Sequence, residues 1–217
     1  MNMNIEQARH AMIEQQIRPW DVVDMQVLNT MQQVPRERFV PEQYQSLAFA
    51  DAQLPLAHGQ FMLKPVVEAR MLQALALNAN DEVLEIGTGS GYITACLASM
   101  ARSVTSIDLY EDFISAAKAH LNALDLNNVR LLHSDALSYE PNQQFDAIAV
   151  TAAVSTVPAN FLEWLRPGGR LFVVEGDAPA QEALCITRTA EGFERKSLFE
   201  TDVPYLSGAE PVDHFTL

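Results

Sequence analysis

The sequence has few cysteines and few basic residues, and it has no long apolar run. Its two cysteines, Cys96 and Cys185, form no C-x-x-C pair. That spacing argues against a metal or redox site and predicts two small buried side chains. No apolar stretch approaches the roughly 18 residues of a membrane span. Charged side chains between Glu6 and Arg18 exclude a signal peptide. We therefore expect a cytoplasmic protein without a membrane partner.

The excess of acidic residues limits the classes of partner. The formal net charge at pH 7 is −14. Nucleic-acid binding needs a basic face, so no nucleic-acid partner is expected, and a charge of this size favours solubility. At 217 residues and 48% hydrophobic, the chain fits one domain with a sizeable core. None of these properties predicts an oligomeric state.

From residue 81 onward, short apolar strands alternate with helices. We predict strands at 83–86, 104–107, 129–132, 145–150 and 170–174, with a helix over 111–124. Such alternation predicts an α/β fold: a Rossmann-like, mainly parallel, doubly wound sheet with helices on both faces. Near the end, 185–189 and 193–199 flank a glycine turn and predict an antiparallel hairpin. A further short strand is expected over 203–206.

The first third of the chain is helical by its apolar spacing. The 3.6-residue period predicts a helix up to Ile17 and a second helix that Asp21 caps, with Val23 on its apolar face. Pro65 suits the first turn of a third helix. We expect residues 1–78 to form a helical cap and a substrate loop, packed on an α/β core over 79–217 as one compact unit.

A glycine-rich turn is the most informative motif. Residues 83–92 read VLEIGTGSGY, in which an apolar strand meets three glycines that open into a helix. Dinucleotide binding needs G-x-G-x-x-G, whereas the spacing here is G-x-G-x-G, and no basic residue for a pyrophosphate lies nearby. With Glu85 before the turn and Asp108 about 20 residues later, the pattern resembles the S-adenosyl-L-methionine (SAM) site of Rossmann-like methyltransferases.

Acidic residues follow three consecutive predicted strands, namely Glu85, Asp108 and Asp135. One such residue is usually a solvated loop residue, but ligands bind at the carboxyl ends of parallel strands, where three would converge. We expect Asp108 to accept from ribose hydroxyls and Asp135 from the adenine amino group. Glu85 would face the methionyl ammonium or hold the turn. The predicted cofactor-binding residues are Glu85, Gly87, Thr88, Gly89, Gly91, Asp108, Asp135 and Ala136.

Three further segments make the resemblance specific. Residues 12–18 read MIEQQIR, residues 34–41 read VPRERFVP, and residues 54–60 read LPLAHGQ. With the glycine turn, they resemble the first helix and the "VPRHLFVP", "LPIGHGQ" and "VLEIGTGSGY" segments of the protein-L-isoaspartate O-methyltransferases. The likeness runs from about residue 8 to residue 206. It implies a protein-repair enzyme that methylates, with SAM, the carboxylate of isoaspartyl residues in damaged proteins or peptides.

The chain departs from that family in the loop expected to contact the substrate. The family continues "GQTISQP", but here Phe61 stands at the Thr position and Leu63 at the Ser position that the resemblance links to the substrate carboxylate. We therefore assign no catalytic residue. Lys64 either pairs with a carboxylate or is a solvated lysine at a helix start. The predicted substrate loop comprises His58, Gly59, Gln60, Phe61, Met62, Leu63 and Lys64.

The sequence leaves three functional hypotheses. The first is isoaspartyl methylation, and its carboxylate acceptor is already ionised near neutral pH, so no general base is needed. His58 is then expected to order the loop by a hydrogen bond. The second keeps SAM but changes the acceptor, because Phe61, Met62 and Leu63 form an apolar wall. The third is a SAM-binding protein without catalysis.

Overall fold

The computed structural model describes residues 5–211, which form a seven-stranded sheet, a small two-stranded sheet and helices. The α-helices are α1 Ile5–Met12, α2 Met25–Gln33, α3 Pro65–Leu75, α4 Tyr92–Met100, α5 Glu111–Asn122 and α6 Ala159–Glu163. The strands are β1 Leu54–Pro55, β2 Phe61–Met62, β3 Glu82–Ile86, β4 Ser103–Asp108, β5 Val129–His133, β6 Phe145–Val154, β7 Leu165–Glu175, β8 Gln181–Arg188 and β9 Phe193–Thr201.

The large sheet has the order β5-β4-β3-β6-β7-β8-β9. Strands β3 to β7 pair in parallel, and β8 and β9 add an antiparallel hairpin at one edge. The chain moves outward from β3 through β4 to β5 and then returns to β6 on the other side of β3. This reversal leaves a crevice at the carboxyl ends of β3 and β6, where open α/β sheets bind ligands. The predicted fold class and hairpin are confirmed.

Alternate residues of the central strand β3 enter two different cores. Val83 packs in one apolar cluster with Met12 and Leu72 from the N-terminal helices. Leu84 packs in the other, with Phe161 of α6. A parallel strand covered on both faces is expected to have apolar residues at successive positions, as Val83 and Leu84 are. The first cluster crosses the predicted boundary at residue 78, and the division of the chain there stays a prediction.

The second N-terminal helix begins later than the sequence pattern predicted. Its N-cap is Asp24, whose Oδ1 accepts from the backbone N–H groups of Gln26 at 2.8 Å and Val27 at 3.4 Å. Asp21 instead adopts a left-handed φ of 58°. Val23, expected on the apolar face, precedes the helix and is 76% exposed. The prediction was wrong because two aspartates precede this helix and either could cap it by residue type. Only the backbone angles decide between them.

Replacing Asp24 by alanine is expected to lower the free energy of unfolding by about 1 kcal/mol, because two N–H groups of the first turn lose their acceptor. Chemical denaturation would measure the change. Asp21→Asn is the matched control, because asparagine tolerates the left-handed angle, and it should leave stability almost unchanged. Equal losses in both variants would contradict the assignment of the cap.

The remaining predicted elements hold with small shifts. Pro65 begins α3, and the helix predicted over 111–124 ends at Asn122. The strand expected over 203–206 is reduced to one bridge between Tyr205 and Ala153. Within residues 5–211, no helix is long and apolar enough to cross a membrane.

Candidate active site

The glycine turn after β3 has a backbone that side chains would disrupt. Gly87 has a φ of 96°, and a Cβ there would collide with Thr151 Oγ1. Gly91 has a φ of 84°, and a Cβ there would lie 2.8 Å from the Cβ of Ala117. Both positions combine the left-handed region with a close neighbour, so glycine fits them best. Thr151, on β6, donates its hydroxyl to the carbonyl of Gly87 at 2.7 Å and fixes the turn.

Asp108, the last residue of β4, holds the same turn from the neighbouring strand. Its Oδ2 accepts from the N–H of Gly89 at 2.8 Å, and its Oδ1 accepts from the N–H of Tyr110 at 2.9 Å. Burial raises the pKa of Asp108, and these two backbone bonds oppose the rise. Each carboxylate oxygen keeps a free lone pair. Asp108 can therefore fix the turn and still accept hydrogen bonds from a ligand.

An open cavity of about 600 Å³, its mouth included, lies at the carboxyl ends of these strands. Of the predicted residues it brings together Gly87, Gly89, Gln60, Phe61, Asp108, Asp135 and Ala136. Apolar side chains from separate elements complete the wall, among them Leu56, Leu109, Phe113 and Leu206. The cavity thus combines apolar side chains with polar ones, among them Asp108, Asp135 and Thr151.

Glu85 does not line either cavity beside the turn. Its side chain is fully buried behind the turn, where Oε2 accepts from Thr94 Oγ1 and Ser106 Oγ, each at 2.5 Å. Burial raises the pKa of Glu85 to about 8, although the hydrogen bonds from Ser106 and Thr94 lower it. Of the two roles expected for Glu85, this burial favours support of the turn over direct contact with a ligand ammonium. The carboxyl group belongs to the support of the turn.

The substrate loop divides between the cavity wall and the surface. A second cavity of about 310 Å³, its mouth included, shares lining residues with the first and is lined by Phe61, Met62, Leu63 and Thr88, among others. Leu63 is only 5% exposed, whereas Phe61 is 38% exposed and also lines the first cavity. The positions where the family has two hydroxyls therefore present apolar surface: Phe61 to both cavities and Leu63 to the second one.

A buried ion pair fixes this apolar wall. Arg36 donates to both carboxylate oxygens of Glu68, at 3.0 and 3.1 Å, and both side chains are buried. The same guanidinium donates to the carbonyl of Leu63 at 2.8 Å and to that of Ala48 at 3.1 Å. Because four bonds hold Arg36 in one geometry, the backbone of Leu63 is fixed and its side chain stays in the wall.

The remaining loop residues lie outside both cavities. His58 Nε2 bonds to Asp112 at 2.9 Å, and its ring stacks on Tyr110 with centroids 4.1 Å apart. The bond from His58 lowers the pKa of Asp112. His58 thereby ties the loop to α5. Gly59 adopts a left-handed φ of 68° beside it. Lys64 is exposed as the N-cap residue of α3, without a side-chain capping bond.

Sequence reasoning missed some lining residues. Thr151 had a usable signal, because it is a polar residue near the end of a predicted parallel strand, as Asp108 is. Leu206 and Ser207 had none: they reach the cavity because Leu206 donates its N–H to the carbonyl of Ala153 at 2.7 Å. Gly91 was predicted to bind the cofactor, but it is the N-cap residue of α4 and lines neither cavity.

Comparison with known proteins places the chain in one family. Residues 7–207 match the family described as protein-L-isoaspartate(D-aspartate) O-methyltransferase (PCMT). A protein-L-isoaspartate O-methyltransferase 2 of Anaeromyxobacter sp. is 40% identical over 86% of this chain and 78% of its own length. A protein-L-isoaspartate O-methyltransferase of Herpetosiphon aurantiacus is 33% identical over 96% and 94%, respectively.

A solved structure has the same fold. A Plasmodium falciparum chain, assigned as a protein-L-isoaspartate O-methyltransferase and crystallised with S-adenosyl-L-homocysteine, superposes with a TM-score of 0.81 at 22% identity. The match covers 94% of this chain and 99% of that one. At this identity the likeness supports the fold, while the family model and the closer sequences support the membership. The chain belongs to the protein-L-isoaspartate(D-aspartate) O-methyltransferase family.

Proposed function

We propose that this chain transfers the methyl group of SAM to the carboxylate of isoaspartyl residues in damaged proteins and peptides, more slowly than a family member with hydroxyls in the loop. The observation that carries the proposal is Asp108, which lines the cavity and also holds the glycine turn through Gly89. Family membership supplies the class of reaction. A cytoplasmic location stays part of the proposal.

The residues at the cavity fit SAM. Asp108 has free lone pairs for the two ribose hydroxyls, and Asp135 is exposed at the cavity rim for the adenine amino group. Ala136 is buried beside Asp135, and Gly87 lines the cavity where the turn begins. We assign cofactor contacts to Gly87, Thr88, Gly89, Asp108, Asp135 and Ala136. Glu85 and Gly91 are assigned to supporting the turn.

The chain needs to supply orientation more than acid–base chemistry. When bound, SAM provides a methyl group on a positively charged sulfur. A carboxylate acceptor is ionised near neutral pH, so no side chain has to remove a proton. Phe61 and Leu56, which line both cavities, exclude water where the two cavities meet. Alignment and exclusion of water are then the contributions of the protein.

A tritiated-methyl assay tests the proposal. The protein is incubated with labelled SAM and either an isoaspartyl peptide or the same peptide with an ordinary aspartyl residue. We expect slow formation of a base-labile methyl ester on the isoaspartyl peptide alone. SAM binding by calorimetry without any labelled ester would contradict isoaspartyl methylation while keeping the cofactor.

The buried position of Leu63 favours a second candidate function. With Met62 and Phe61 it makes the wall of the second cavity apolar where a hydroxyl would engage a carboxylate. A SAM methyltransferase for a less polar acceptor would fit this wall. This candidate gains support if the isoaspartyl peptide stays unlabelled even after hydroxyls are restored at positions 61 and 63. A protein that binds SAM and methylates no acceptor is the remaining alternative.

A further inference from the structure

Glu85 connects to the second cavity through a chain of hydroxyl groups. Its Oε2 accepts from Ser106 Oγ at 2.5 Å, and Ser106 Oγ lies 2.6 Å from Thr88 Oγ1. Thr94 Oγ1 is the other donor to Oε2, also at 2.5 Å. Glu85, Ser106 and Thr94 are 0% exposed; Thr88 is 4% exposed and is one of the residues that line the cavity beside the glycine turn. One end of the chain is thus sealed, and the other end belongs to a residue of the cavity wall.

Proton counting fixes the direction of these hydrogen bonds. Each hydroxyl has one proton to donate. When Glu85 is ionised, Ser106 donates its proton to the carboxylate and its oxygen must accept from Thr88. Thr88 then has only lone pairs left for the cavity. When Glu85 carries a proton on Oε2, the direction can reverse, and Thr88 can donate into the cavity instead.

Apart from the two hydrogen bonds to Oε2, the protein does little to stabilise the ionised form of Glu85. Glu85 Oε1 is buried and has no hydrogen-bond partner within the described residues. Asp108, on β4, adds negative charge, and burial leaves the Glu85 pKa raised. From α4, Cys96 is the nearby titratable group, and its thiol pKa is itself raised by burial. The paired residue on β6 is Ala149, which carries no charge. A cation in the cavity would therefore favour ionisation.

We propose that Glu85 is a positioning residue that acts through Ser106 and Thr88: binding of the cationic methionyl end of SAM releases the Glu85 proton to solvent and leaves Thr88 as a hydrogen-bond acceptor. This inference rests on the proposed function, since it takes SAM as the ligand. The hydroxyl groups of Ser106 and Thr88 would thus couple release of the Glu85 proton to the affinity for the cofactor. The sulfonium has no proton to release, and any proton exchanged by the ligand ammonium is common to all variants, so the difference in proton release between the wild-type protein and Glu85→Gln measures the proton of Glu85.

The sign of the pH dependence follows from this coupling. Glu85 is mainly protonated below about pH 8 in the free protein, and SAM binds better to the ionised form. The affinity for SAM is therefore expected to rise with pH, by roughly tenfold or more between about pH 6.5 and 8.5. In Glu85→Gln this rise should disappear, because glutamine has the same shape and no titratable proton.

SAM binding is measured by calorimetry near pH 7.5, once in phosphate and once in Tris. The difference between the binding enthalpies in the two buffers gives the number of protons released. We expect release of more than about half a proton by the wild-type protein and almost none by Glu85→Gln. Glu163→Gln is the matched control, because it removes an exposed glutamate that lines neither cavity, and it should keep the release. Thr88→Val breaks the chain at the cavity end and should reduce the release even if Glu85→Gln does not fold.

The outcomes separate this inference from the proposed function. SAM binding without proton release in the wild-type protein would overturn the role of Glu85 while leaving the cofactor assignment intact. Release that persists in Glu85→Gln and in Thr88→Val would also overturn it. A complete lack of SAM binding would instead contradict the proposed function.

Discussion

Replacing Asp108 by alanine is expected to weaken SAM binding by about a hundredfold. The carboxylate lines the cavity and also accepts from the N–H groups of Gly89 and Tyr110. Removing it deletes the acceptor for the ribose hydroxyls and releases the turn. Hydrogen bonds to charged groups contribute about 1.5–3 kcal/mol each, and about 2.7 kcal/mol corresponds to a hundredfold change in affinity. Isothermal titration calorimetry measures the loss.

Asp112→Ala is the matched control for that experiment. Asp112 lies four positions further along, bonds to His58 and lines neither cavity. We expect its affinity for SAM to stay close to that of the wild-type protein. Unchanged affinity in a folded Asp108→Ala variant would remove the ribose assignment, and an equal loss in both variants would point to a general effect on the loop.

Restoring the family hydroxyls, with Phe61→Thr and Leu63→Ser, is expected to raise kcat/KM for an isoaspartyl peptide more than about tenfold. Leu63 is buried in the cavity wall and offers no hydrogen bond to a carboxylate. One hydrogen bond to a charged group contributes about 1.5–3 kcal/mol, and about 1.4 kcal/mol is a factor of ten in rate. Steady-state methylation kinetics measure the gain.

The control for the loop variant is Phe61→Ala with Leu63→Ala. It opens the same space without adding a hydroxyl, so it separates the loss of bulk from the gain of a hydrogen bond. We expect it to raise the rate much less than the hydroxyl variant, or to lower it. Efficient turnover by the unmodified protein, together with a lower rate in the hydroxyl variant, would contradict our interpretation of the loop.

The fold was predictable because each element carries its own signal. The alternation of apolar strands and helices from β3 onward predicts a parallel sheet. In such a sheet the carboxyl ends of the strands lie at the same edge. Asp108 was found by this rule, and Thr151 satisfies it too. The helix start at Met25 was missed because Asp21 and Asp24 both precede it and both are good capping residues. The choice between them depends on backbone angles.

The sequence could not predict which face of β3 carries the Glu85 side chain or that Leu206 lines the cavity. Residues alternate between the faces of a strand, but both faces of β3 are covered, so the pattern does not tell which one Glu85 joins. Its partners Thr94 and Ser106 come from α4 and β4. Leu206 reaches the cavity through a contact with β6 that spans about fifty residues of chain. Such long-range contacts leave no local signal.

A crystal structure of this protein with S-adenosyl-L-homocysteine would test the assigned cofactor site. We expect both ribose hydroxyls on the Asp108 carboxylate, the adenine beside Asp135 and Ala136, and the amino-acid end toward Thr88. The side chains of Phe61 and Leu63 would stay at the wall where the sulfur lies. A ligand bound elsewhere, or one in this cavity whose ribose does not contact Asp108, would contradict the assignment of Asp108 to the cofactor.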